Sequence, residues 1–164
     1  MKSNEILSNR DKLSKEITSY WTIIKSENLV DKTHKRMYDM KATLKVIEKS
    51  ARDRITMKLY LQCINMGYKK ASDLPATSLF PTIFELSETT EQYVQLGLVP
   101  TLDPAMKSKK GKKNLSKSEE LTSQYIKGLR DNLMLKILEL KKKILDYNNN
   151  ADLDITSPLM TLVA

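Results

Sequence analysis

The stretch KSENLVDKTHKR (residues 25–36) decides how the first part of this chain folds. It is a polar gap inside a run, Ser3 to Met66, that has neither glycine nor proline, which is a mark of long helix. Before the gap, Leu13, Ile17, Tyr20 and Ile24 alternate steps of four and three. After it, Met37, Met40, Leu44, Ile47, Ala51 and Ile55 do the same, with a final step of four. Each series is the a/d stripe that a helix presents to a partner helix. The two are out of phase, because Ile24 and Met37 are 13 residues apart where a heptad pattern needs 14. Residues 26–33 therefore hold either a register slip or a break between two helices. A continuous helix would run about 90 Å at ~1.5 Å per residue and would need an extended partner or its own second helix folded against it.

Downstream, ITMKLYLQCINMG (55–67) carries apolar residues around most of the helix circumference, which predicts a helix end buried on all sides. Gly67 is placed to stop it in a left-handed conformation. Residues 67–104 hold four of the five prolines and read as a short helical hub. Within it, a helix over 78–96 has Pro81 in its first turn and Gly97 as its stop. Residues 105–118 form a basic linker. Ser116-Lys117-Ser118-Glu119 has the spacing of a capping box and predicts a helix from 119 to 148. That helix carries a second seam at Ile126, Leu129, Leu133, Ile137, Leu140 and Ile144. Residues 149–164 have no periodicity and read as a disordered tail. The expected fold is all-α: an elongated helical bundle or coiled-coil hairpin with a short hub and a basic flexible linker.

The chain has 164 residues, 40% hydrophobic and 29% charged, with 4 Gly: too apolar for disorder and too poor in turn residues for a β-sandwich. Its net charge of +8 is concentrated in residues 1–66 and in the linker, which suits an acidic partner, nucleic acid or an anionic surface without choosing among them. With one cysteine, Cys63, no intramolecular disulfide forms, so a reducing, intracellular compartment is expected. The N-terminus lacks the apolar core of a secretory signal, and no apolar run approaches the ~20 residues that span a bilayer. No membrane partner is expected.

The chemistry-bearing residues are sparse. His34 and Cys63 are single and cannot build a structural zinc site. The GKK at 111–113 lacks the first glycine and the strand of a phosphate loop. Carboxylates such as Glu119 and Glu120, or Asp152 and Asp154, sit at a helix start and in a tail, where nothing desolvates them. We therefore expect no enzyme, no cofactor, no metal and no small-molecule substrate. The lysine run Lys107, Lys109, Lys110, Lys112 and Lys113 has three readings: a solvated linker, a nuclear import signal, or a phosphate grip on nucleic acid. With no aromatic interleaved, such a grip would have no sequence preference. The leading expectation is a non-catalytic helical subunit or adaptor of a larger assembly. Its interaction seam would be Leu13 to Ile47 and Ile126 to Ile144, meeting a helical partner or a second copy, in the cytoplasm or, in a eukaryote, the nucleus. The alternative is a basic nucleic-acid-binding or chromosome-associated protein.

Overall fold

A computed structural model describes residues 1–102 and 116–156. The polar gap is a break. Helix α1 spans Ser3–Glu27, and Asn28 closes it with its amide on the Ile24 carbonyl. The chain then enters a three-residue strand, β1, Leu29–Asp31. Helix α2, Met40–Asn65, starts where the Asp39 carboxylate accepts the Ala42 N–H at 2.7 Å. Its end is a Schellman turn: Gly67 adopts φ +78°, its N–H reaches Ile64 and the Tyr68 N–H reaches the Cys63 carbonyl. A 3₁₀ turn at Ala71–Asp73 leads to helix α3, Phe80–Gly97, with Pro81 in its first turn. Strand β2, Lys117–Glu119, and helix α4, Ser123–Asn150, complete the described chain.

The molecule is mostly helical, with one two-stranded antiparallel ribbon in which Leu29, Val30 and Asp31 face Glu119, Ser118 and Lys117. α1 packs along α2, α2 on α3, and α3 along α4. Cross-links give the directions. Ser14 and Ile6 of α1 lie by Arg54 and Cys63 of α2, Glu88 and Leu96 of α3 by Arg54 and Ile47 of α2, and Glu85 and Tyr93 of α3 by Lys136 and Arg130 of α4, so neighbouring helices run antiparallel. The core gathers Ile17, Trp21 and Ile24 from α1, Met40, Ile47 and Ala51 from α2, Leu96 and Val99 from the end of α3, and Leu121 and Ile126 around the start of α4.

Several details depart from the sequence expectation. The Ser116–Glu119 stretch is not a helix cap: 117–119 pair with β1, and α4 is capped by Thr122, whose hydroxyl accepts the Tyr125 N–H. The two neighbouring carboxylates serve other elements. Glu119 accepts the Leu102 N–H at 2.6 Å, and Glu120 accepts the Met40 N–H at 2.7 Å at the start of α2. Met37 lies in the loop before α2, 85% exposed, so the second half of the first seam begins at Met40. The 55–66 end of α2 is not buried all round. Cys63 is buried there, most of its neighbours are half-buried, and Ile64 and Met66 are exposed, because the core lies nearer the other end of α2. Gly97 is the last residue of α3 and closes it. A Cβ there would meet the Arg130 guanidinium at 2.9 Å, and that group lies over the Tyr93 ring.

The ribbon end is locked by Asn28, which is 0% exposed. Its Nδ2 donates to the Pro100 carbonyl at 2.8 Å and the Leu121 carbonyl at 3.0 Å, while its Oδ1 accepts the Leu121 N–H at 2.7 Å. Arg36 reinforces it, donating to the carbonyls of Glu27, Asn28 and Ser118 and so satisfying acceptors at the end of α1. Asn28→Ala removes three hydrogen bonds and strands the buried backbone groups of Leu121. The expected loss is ~3 kcal/mol, a fall in Tm of about 10 °C, read by urea and thermal unfolding. Asn28→Asp, which keeps the acceptor and loses both donors, should fare no better than alanine because it also buries a charge.

Candidate interaction surface

The residues of the two seams pack within the chain. Ile17, Ile24, Met40, Ile47, Ile126, Ile137 and Leu140 are buried, and Leu13, Tyr20, Leu44, Leu129, Leu133 and Ile144 are half-buried. Helical periodicity brings them together because each helix turns the same stripe to its antiparallel neighbour. Lys107, Lys109, Lys110, Lys112 and Lys113 lie outside the described residues. Their flanks are held: Leu102 by the Glu119 carboxylate, and Ser116 by the Lys32 N–H at 2.8 Å.

The apolar pattern of the sequence gives no notice of a buried charge cluster. Arg54 donates through Nε to one oxygen of Glu88 at 2.6 Å and through Nη2 to the other, a two-pronged pair inside the bundle. Nη2 also meets Glu91 at 2.9 Å, Nη1 meets the Ser14 hydroxyl, and Lys58 approaches Glu88 at 3.3 Å. The Glu88 hydrogen bond, opposed by burial and aided by the charges of Glu88 and Glu91, raises the Arg54 pKa, so the guanidinium stays charged. One signal exists in the sequence. Ile47, Ala51 and Arg54 follow steps of four and three, which puts an arginine on the buried stripe.

Two apolar features face outward. The first is a groove between α2 and α4, which do not pack along each other. It has a volume of about 210 Å³, with Trp21, Ile47 and Leu96 in its depth, Leu44, Leu129 and Leu133 on its flanks, and Glu48, Gln92 and Asn132 beside them. Trp21 is buried, and among the described residues its indole N–H has no hydrogen-bond partner. The second is a ridge on α4: Leu135, Leu138 and Leu145 are 68%, 56% and 58% exposed. With Lys142 they repeat steps of three, four and three on a face that α4 does not use for its own packing.

Among the described residues no group of three or more His, Cys, Asp or Glu is placed to hold a metal, and no helix is long and apolar enough to cross a membrane. His34 is exposed, 2.9 Å from the Glu27 carboxylate, and Cys63 is a buried thiol.

Breaking the charge cluster should be costly and replacing it should not. Arg54→Met leaves Glu88 buried without its main partner and is expected to cost about 3–5 kcal/mol in urea unfolding. The double variant Arg54→Met/Glu88→Leu should recover most of that loss, because both desolvated charges are gone. No family model, curated protein or solved structure matches the chain.

Proposed function

We propose that this chain is a non-catalytic helical subunit or adaptor of a larger intracellular assembly, and that it works through protein–protein contact. The observation that carries this reading is the α4 ridge. Single exposed leucines are ordinary on protein surfaces, but three in a/d spacing along one helix form a strip that another helix can cover. A polar residue at one a position, here Lys142, selects register and partner in such pairings at some cost in stability. Of the half-buried seam residues, Leu44, Leu129 and Leu133 line the groove between α2 and α4 and add apolar surface open to a partner.

A second reading has its own support. The lysine run ends three residues before Ser116, which sits against Lys32; Lys35 adjoins Arg36, which reaches Ser118, and Lys117 at the same end pairs with Asp31 at 3.4 Å. A polyanion such as nucleic acid would meet positive charge there from two chain segments, with phosphate contacts independent of sequence.

Affinity purification of the tagged chain from its native cell, with nuclease and a high-salt wash, separates the two. A defined protein partner that survives both treatments is expected. It should be lost from a Leu138→Lys/Leu145→Lys variant whose helix content and Tm are unchanged. Release of all bound material by nuclease would overturn the subunit reading in favour of the second. In that case, changing Lys107, Lys109, Lys110, Lys112 and Lys113 to Gln should weaken binding to unrelated nucleic acids equally. The slope of log affinity against log salt should flatten by about 0.9 for each duplex phosphate that is no longer neutralised.

A further inference from the structure

We infer that the groove between α2 and α4 is a docking site for an acidic amphipathic helix of a partner protein, which seats a large apolar side chain over Trp21. The inference rests on the subunit reading above and assigns it a site and a partner chemistry.

The groove is built for insertion. At about 210 Å³ it falls below the ~300–1,000 Å³ that encloses drug-sized ligands, and it suits the anchoring side chain of a helix instead. Its flanks, Leu44, Leu129 and Leu133, are half-buried, so each keeps apolar surface for a visitor to cover. About one turn before Leu44 and Leu129, Lys41 lies over the Tyr125 ring at 4.5 Å and ties α2 to α4 at that end.

The rim decides the sign of the partner. Lys41, Lys45, Glu48 and Arg52 follow steps of four, three and four along α2, and Glu48 of this stripe lines the groove. Lys45 and Arg52 are exposed and make no ion pair among the described residues, whereas Lys49 on the adjacent stripe is neutralised by Asp53 at 2.8 Å. Glu48 is charged and lines the groove itself, and the α2 stripe that carries it is net positive, with Lys41, Lys45 and Arg52 against this one carboxylate. A second copy of this chain is a poor occupant, because its exposed α4 ridge carries Lys142, with Lys141 beside it, and would bring like charge to like. A helix with glutamates flanking an apolar stripe matches both the lining and the rim.

Trp21 is the single tryptophan and reports on the groove directly. The probe is a synthetic Trp-free helical peptide with leucines in a/d spacing flanked by Glu, titrated into the full chain. The control peptide carries Lys at every Glu position. The acidic peptide should change Trp21 emission saturably and bind more weakly as salt rises. The basic peptide should bind at least about tenfold more weakly, and Lys45→Glu/Arg52→Glu, which alters exposed side chains alone, should cost the acidic peptide about the same factor. Absence of a saturable change, or equal affinity of the two peptides, overturns the proposal. Partner capture that survives Lys45→Glu/Arg52→Glu but not Leu138→Lys/Leu145→Lys removes the groove and leaves the subunit reading standing. Capture indifferent to both variants removes both.

Discussion

One buried amide holds the two halves of this molecule in register. Asn28 follows the last turn of α1 and precedes β1, and its side chain treats Leu121 as a neighbouring strand would, giving to its carbonyl and taking from its N–H. A residue with this reach lets the chain leave a helix, pair three residues of ribbon and begin another helix without leaving those backbone groups dry. Arg36, Glu119 and Glu120 complete the arrangement, each satisfying backbone groups of an element other than its own. The apolar core lies directly behind this polar lid, with Ile24, Met40 and Leu121 fully buried.

Farther along the bundle the restraint is ionic. Arg54 binds Ser14, Glu88 and Glu91 and so links three helices with one side chain. Its charge is matched, and the cost of desolvating both partners offsets much of what their attraction contributes to net stability. The outward features follow from the same geometry. Helices held in sequence, each against the next, leave α2 and α4 to border a groove rather than close on one another.

Much of the helical plan was legible. The absence of Gly and Pro, the phase jump between Ile24 and Met37, the stop at Gly67 and the start at Pro81 all correspond to structural events. What was not legible depended on partners far away in the chain. Nothing in LVD or KSE announces a strand, because three residues carry no period and the pairing is settled by a segment almost ninety positions distant. The Ser116–Glu119 pattern fits a capping box as well as it fits a ribbon, and the ribbon prevailed because β1 offered backbone partners. Met37 kept heptad spacing but fell before the Asp39 cap, where no helix exists to present it. Arg54 was hidden by its charge, since a stripe is searched for apolar residues. Of the candidate surface, neither the groove nor the ridge was visible, because each depends on which faces the helices spend on one another.

The ribbon also sets the order in which the molecule can assemble. The α1–α2 and α3–α4 hairpins join elements that are close in the chain, whereas the Asn28–Leu121 clasp spans 93 residues. Local pairs close early and distant ones late, because loop entropy must be met before the distant pairs give anything back. By that reasoning the clasp closes late, and a latch that closes late acts on how long the native state lasts more than on how fast it is reached.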